Sequence, residues 1–482
     1  MKKMKSFTFL STLLFLIMSC SKDFIDLKPK SAVSIDVLYK TDKDFKDALT
    51  ATYNTLQSQY QRFYIWGDIR ADDSWQQIFK NNSQSYSDAF VTTSSDGLIN
   101  SSWQNYYRII FRTNTILSRI KDADASVVKN KDRYIGEAKF LRAFAYFDLV
   151  RLFGDVPMIT VPVSIEESYK IGRKSVDSIY NEVIIPDFFD AKNLLPSEYT
   201  GADIGRPTKG AAAALLGRVY LTRKDFVNAE TTLQEVTQMG YELLKNYNDL
   251  FDYTKDEHHS EYIFDIEYEE GIGEGSVFTN AFLPNSAPMF SFYSIGGYGD
   301  EQNSPTSALI DLFTSNDLRK DITVGVKGGF YNADSVFVKL PSTTSQTYTK
   351  KYIVPEVVIN DSKANWKVIR YADVLLMLAE ALNENNKTDQ ALEYLNQVRD
   401  RAGLAGYTGL TKNDTREKIY LERRLELSFE GVRWFDLVRT GRAFSTMQPY
   451  GMQEFMTVFP LPLSQIQLIN NPSIFPQNKG YE

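Results

Sequence analysis

Two segments of this chain, 162 residues apart, carry the same pattern of apolar and small residues, and no other feature restricts the fold as much. In the first, Ala212, Leu215, Leu216, Val219 and Tyr220 recur at helical spacing. A short turn, Arg223-Lys-Asp225, then leads to Phe226, Ala229, Leu233 and Val236. In the second, Val374, Leu378, Ala379 and Leu382 align with Ala212, Leu216, Gly217 and Tyr220, and Ala391, Leu395 and Val398 align with Ala229, Leu233 and Val236. Small residues at the crossing points let paired helices approach closely. Each pair leaves an apolar face that neighbours must cover, so two isolated pairs are too few to stand alone.

Such pairs resemble tetratricopeptide units, and other helices can supply the neighbours. Trp103, Tyr107, Ile110, Asn114 and Leu117 share one helical face, while Ala138, Leu141, Ala145, Leu149 and Leu152 share another that stops at Gly154-Asp-Val-Pro157. Thr411 with Asp414 reads as a capping box opening a helix through Ile419 and Leu425 to Glu430, terminated by Gly431. Residues 241 to 365 read differently. Residues 271 to 300 hold six glycines and six aromatics, and the alternating runs Tyr262 to Tyr268 and Ser335 to Leu340 suggest strands. A second irregular stretch runs from Trp66 to Ser102. The expected fold is mainly α, a tetratricopeptide-like helical-repeat scaffold packed beside a loop-rich region with a few short strands. The expected divisions are a leader over 1–19, an N-terminal helical region over 20–240 with a ligand loop at 64–102, an irregular insert over 241–365 and a C-terminal helical region over 366–482.

Composition narrows the function. One cysteine and two adjacent histidines, His258 and His259, exclude a disulfide framework and leave no material for a cysteine or histidine metal site, so no metal or cofactor is expected. A net charge of −7 argues against nucleic-acid binding. The glycines at 271, 273 and 275 are not a phosphate-binding loop, because no Lys-Ser or Lys-Thr follows them.

The lone cysteine has its own explanation. Lys2, Lys3 and Lys5 precede an apolar run from Phe7 to Met18, too short to span a bilayer, and then Ser19 and Cys20. Ile17-Met18-Ser19-Cys20 resembles a bacterial lipobox, which implies cleavage before Cys20 and acylation of its thiol. The alternative is an ordinary signal peptide with a chance cysteine. Loss of the three lysines with the leader takes the net charge from −7 to −10, which suits a tethered domain and not one held on anionic lipid by a basic patch.

Several long motifs together resemble the SusD/RagB family. They are Trp103-Gln-Asn-Tyr-Tyr-Arg-Ile-Ile-Phe-Arg-Thr-Asn114, the run from Glu137 to Pro157, Arg370-Tyr-Ala-Asp-Val-Leu-Leu-Met-Leu-Ala-Glu-Ala381, the run from Glu422 to Arg439 and the terminal Phe459-Pro-Leu-Pro462. The resemblance implies an outer-membrane lipoprotein of Bacteroidetes, lipid-anchored and facing the exterior. Ser21-Lys22-Asp23 is similar to the acidic export tags of such proteins. It also implies a partner, a SusC-like TonB-dependent transporter, and a nutrient ligand, most often a glycan, with helices facing the transporter and loops the ligand.

A sugar ring offers an apolar face of C–H groups and a rim of hydroxyls, so aromatics among Asp, Asn, Arg and Gln suit a glycan platform. Tyr64-Ile-Trp-Gly-Asp-Ile-Arg-Ala-Asp-Asp-Ser-Trp75 has that composition and matches the place where the family bears ligand contacts. The candidate contacts are Trp66, Arg70, Asp72, Asp73 and Trp75, with Phe79 and Tyr86 behind them, and a second cluster of Phe290, Phe292, Tyr293 and Tyr298. The competing account is that these aromatics pack the loops onto the helices. Glu422 and Glu426, one turn apart with Arg423 between them, have the look of paired glycosidase carboxylates, but ion pairing between helices explains them better. No catalytic residue is expected. Asn114 and Trp434 read as scaffold, and His258-His259 as a solvated pair. The rivals to glycan capture are a peptide ligand, a surface glycoside hydrolase and a helical scaffold without a small ligand.

Overall fold

A computed structural model describes residues 38–76, 80–255 and 257–482. The expected leader, Cys20 and Phe79 lie outside the described residues.

The repeat builds the centre of a helical array. Its members are α1 (Asp42–Tyr60), α2 (Gly97–Arg119), α3 (Lys131–Phe153), α4 (Ile185–Leu194), α5 (Lys209–Thr222), α6 (Phe226–Val236), α7 (Tyr371–Glu384), α8 (Thr388–Arg401), α9 (Lys412–Glu426) and α10 (Arg433–Arg439). From α1 to α9 each helix packs on the next, so the apolar faces at the helix crossings are covered by neighbours. The two repeat units match down to their turns. Lys224 and Asn386 both adopt positive φ, at 60° and 63°. In each unit the following N–H, of Asp225 or Lys387, reaches back to Tyr220 O or Leu382 O at 2.9 Å. Gly217 marks the α5–α6 crossing, where a Cβ would meet Leu233 Cδ2 at 2.5 Å.

Helix α7 is buried on all sides from Tyr371 to Asn383, as expected of a central helix. The acids and the amide within that span are each paired: Asp373 with Arg218 and Arg423, Glu380 with Arg439, and Asn383 with Lys412 O.

The strands are few and short; besides the two-residue pair Val156–Pro157 with Arg173–Lys174, they are, in chain order, β1 (Ser74–Trp75), β2 (Tyr262–Ile266), β3 (Ser304–Pro305), β4 (Gly329–Tyr331), β5 (Phe337–Lys339) and β6 (Trp366–Arg370). β2 pairs antiparallel with β6, which runs straight into α7. That pairing returns the chain from the insert to the helical array. β4 and β5 form a hairpin, and the insert has a small core of its own around Leu283, Met289, Ile295, Phe330, Leu340 and Tyr348.

Three local expectations are corrected. α2 begins at Gly97, inside the stretch read as irregular, because Asp96 caps it by accepting from Leu98 N and Ile99 N. The glycine-rich stretch contains two short helices, Phe278–Phe282 and Ala287–Tyr293, the first with Phe278 and Phe282 in the main core. α9 ends at Glu426 and not at Glu430. The chain turns there through Phe429 and Gly431, both at positive φ, and Glu430 meets Arg370 and Lys351 instead.

Glu422 and Glu426 do pair with neighbouring segments. Glu422 accepts from Arg319 (2.7 Å) and Arg399 (2.9 Å), and Glu426 from Arg370 (2.5 Å), Arg319 (3.1 Å) and Arg401. Burial works to raise the Glu426 carboxyl, but Arg401, Arg370 and Arg319 outweigh it and hold it well below the usual carboxylate range. The histidines differ from a solvated pair. His258 Nε2 meets Glu267 Oε1 at 2.8 Å, which raises its pKa, whereas His259 is half-buried and burial pushes it down to about 4. Among the described residues no helix is long and apolar enough to cross a membrane.

Candidate functional site

The segment after α1 folds inward before it reaches the surface. Ile65–Ile69 form a widened helical turn in which Trp66 is 2% exposed and meets Phe459 edge-on at 4.7 Å. Gly67 lies against Gly431 so closely that a Cβ would stand 2.2 Å from Gly431 O. Asp68 Oδ1 accepts from Gly431 N at 2.9 Å, and burial raises its pKa to about 8.

Arg70 is 1% exposed. Its guanidinium lies over Phe459 (4.1 Å), Phe90 (4.4 Å) and Trp434 (4.9 Å) and donates to Met456 O at 2.9 Å. Asp72 and Asp73 face the C-terminal motif. Arg433 holds Asp72 with two bonds of 2.8 and 3.0 Å, and Arg424 Nε donates to Asp73 Oδ1 at 2.6 Å. Burial works to raise the Asp72 carboxyl, but Arg433 and Arg424 prevail and lower it. Trp66, Arg70, Asp72 and Asp73, expected as ligand contacts, are instead all buried against the protein. The arginines that hold Asp72 and Asp73 fix the chain two residues before the next candidate.

That residue is Trp75, 41% exposed. β1 pairs antiparallel with β3, with Trp75 opposite Ser304, and Thr306 binds back to Asp72 O and Asp73 O at 2.8 and 3.0 Å. On the other side Lys80 Nζ donates to Asp300 O at 2.8 Å, and the Tyr64 hydroxyl donates to Gln302 Oε1. The two aromatic stretches, far apart in sequence, therefore converge on residues 298–306. Tyr298 stands at that junction, 43% exposed, with its carbonyl held by the buried Asn280 amide at 2.8 Å.

The remaining candidates divide. Phe292 is exposed, packed edge-on to Tyr293 at 4.8 Å. Phe290 and Tyr293 pack on the insert's small core. Tyr86 is half-buried, its hydroxyl donating to Asn81 Oδ1 at 2.6 Å. Sequence reasoning passed over Lys80, Asp300 and Asn280. Asp300 lies two residues from Tyr298, so charged residues flanking exposed aromatics were the available signal.

The helical array has a surface feature of its own. A groove of about 490 Å³ runs along α2, lined by Trp103, Tyr107, Phe111, Val161, Ile165 and Leu468.

Comparison with known proteins identifies the architecture. The model described as the SusD family matches residues 223–481, more than half of the chain, and one described as "Starch-binding associating with outer membrane" matches residues 23–221. The chain belongs to the SusD family. It is similar to the SusD-like protein P38 of Formosa agariphila, 28% identical over the whole of both chains. Among solved structures it is similar to a laminarin-binding SusD-like protein, with 28% identity, TM-score 0.78 and coverage of 92% of this chain and 100% of that one. It is also similar to surface glycan-binding protein A of Bacteroides uniformis, with 25% identity, TM-score 0.77 and the same coverage.

Proposed function

We propose that this protein is a non-catalytic capture protein of the outer membrane, which holds a glycan on the strip between Trp75 and Tyr298 and delivers it to a SusC-like TonB-dependent transporter. The observation that supports the reading is the β1–β3 pairing, which sets the exposed Trp75 opposite Ser304, in the same segment as the exposed Tyr298 and as Asp300, whose carbonyl accepts from Lys80. Rings cover the C–H faces of a sugar, and the charged pair can exchange hydrogen bonds with its hydroxyls. The SusD-like relatives named for laminarin and glycan binding support the ligand class, and the outer-membrane wording of the family model supports the location. Acylation of Cys20 would tether the chain, and the apolar groove along α2 is the surface such a transporter would cover.

The pairing of Glu422 and Glu426 with arginines supports the absence of catalysis, since carboxylates locked in ion pairs have no free acid or base function. Calorimetric titration of the mature protein with laminarin and a panel of other oligosaccharides tests the reading. Binding that vanishes in W75A and Y298A is the expected result. Tight binding of peptides with no glycan response would replace the ligand class, and release of shortened sugars would replace the function.

A further inference from the structure

The helical array carries a depression of about 620 Å³ that the capture strip does not use. It lies where the last turn of α8 meets the segment 241–245 and the start of α7, and none of its lining residues belongs to either aromatic stretch. One buried carboxylate fixes these walls. Glu261 accepts from Leu244 N at 2.9 Å, from Arg370 at 2.8 Å and from Arg401 at 3.1 Å, and its carbonyl accepts from Tyr371 N at 3.0 Å. The remaining wall is Leu318, 62% exposed yet held in place, its N–H donating to Ala402 O at 3.1 Å. At Gly403, which has positive φ, a Cβ would stand 3.1 Å from the Leu318 side chain. The depression is therefore formed before a ligand arrives, which spares binding an ordering cost.

Floor and rim differ in chemistry. Tyr241 and Tyr371, with rings 6.2 Å apart and inclined at 32°, make the apolar part together with Leu318. Glu242 and Lys245, and Gln397 and Asp400 one turn apart on α8, stand exposed around it. Of the two cations in the lining, Arg401 is bound to Glu261 and Glu426. That leaves Lys245 against two exposed carboxylates, so a ligand bearing negative charge gains little here. Hydroxyls suit the rim better, because each can donate to a carboxylate and accept from an ammonium or an amide, while the C–H face of a sugar covers ring and leucine.

We propose that this depression is a second glycan subsite, which holds an uncharged stretch of the same polymer that the strip captures. The ligand class rests on the capture reading, whereas the place rests on the depression alone. The subsite is weak by itself, and its effect is on long chains: once the strip is engaged, the second contact is intramolecular, and apparent affinity rises with no new contact at the strip.

The test compares wild type with K245A/D400A, two exposed rim positions, in calorimetric titrations with short laminarin oligosaccharides and with long laminarin chains. The expected result is a loss of at least about tenfold in affinity for long chains and a change within about twofold for short ones, at an unchanged melting temperature. In W75A/Y298A, saturation-transfer NMR with short oligosaccharides detects the weak subsite directly, and its signal should disappear when K245A/D400A is added. Wild-type affinity for long chains in K245A/D400A would overturn the proposal, as would equal losses for both lengths, which would place the effect at the strip. A peptide that binds wild type and is lost in K245A/D400A, with long-chain affinity intact, would replace the ligand class. If neither length binds wild type, the capture reading itself falls, and the subsite with it.

Discussion

Arg433 grips Asp72 through two parallel bonds, Nε to Oδ1 at 2.8 Å and Nη2 to Oδ2 at 3.0 Å, across 361 residues of sequence. This contact joins the C-terminal motif to the loop that carries Trp75. Both side chains are largely buried, and Arg424 Nη2 also lies 2.8 Å from Asp72 Oδ2, so removing Arg433 leaves Asp72 with one arginine instead of two. Breaking a buried pair outright costs about 3–5 kcal/mol. R433M is expected to lower unfolding free energy in urea titrations by less than that, about 1–3 kcal/mol. It should also weaken glycan binding, because β1 loses the anchor that aims Trp75.

Trp66 and Trp75 lie nine residues apart and should respond oppositely to alanine. Trp66 is in the core, where deleting an indole costs about 3–5 kcal/mol. Trp75 is 41% exposed and packs less. W75A is therefore expected to keep the melting temperature within a few degrees and to lose at least about tenfold in glycan affinity, equivalent to about 1.4 kcal/mol. W66A should unfold at markedly lower temperature. Paired calorimetric titration and thermal scans read both. If the two variants swap behaviours, the assignment of inner and outer tryptophan is wrong.

The two tryptophans also mark where the sequence was legible. The helical array could be read because its signal is local: apolar spacing, small crossing residues and the Lys224 and Asn386 turns all lie within a few residues of one another. Composition likewise located both aromatic stretches. It could not tell which rings face water, because Trp66 is buried by Phe459 and Arg70 by Trp434, partners hundreds of residues downstream. The end of α9 escaped for the same reason. Glu430 leaves the helical path for Arg370 and Lys351, and nothing within its own turn announces them.

Asp68 gives a stability that falls as pH rises. Its folded pKa is raised to about 8 from an ordinary 3.8 by burial, which outweighs the bond from Gly431 N. Below pH about 4 both folded and unfolded chains hold the proton, and the group is neutral in its effect. Between about 4 and 8 only the unfolded chain releases it, so each pH unit lowers stability by up to about 1.4 kcal/mol. D68N keeps the oxygen that accepts from Gly431 and cannot ionise. The difference in unfolding free energy between D68N and wild type should therefore grow from pH 5 to pH 8. A flat difference across that range would mean that Asp68 is ionised in the fold.

The repeat makes a prediction about Gly217, the residue that takes the place of Ala379. At Ala379 a methyl group is accommodated and fully buried. At Gly217 a Cβ would stand 2.5 Å from Leu233 Cδ2 and 2.6 Å from Cγ, too close for any real contact, so Leu233 must move. Alanine gains about 1 kcal/mol over glycine in helix propensity, while overpacking a tight core costs about 1–3 kcal/mol. Because the obstructing atoms belong to a fully buried leucine, and include its Cγ as well as a methyl, the packing cost should win. G217A is expected to be less stable than wild type by about 1–2 kcal/mol, and the double variant G217A/L233A should show a smaller penalty for the added methyl than G217A does alone. Chemical denaturation of the four proteins in that cycle measures the coupling directly, and additivity within about 0.3 kcal/mol would show that the α5–α6 crossing has slack.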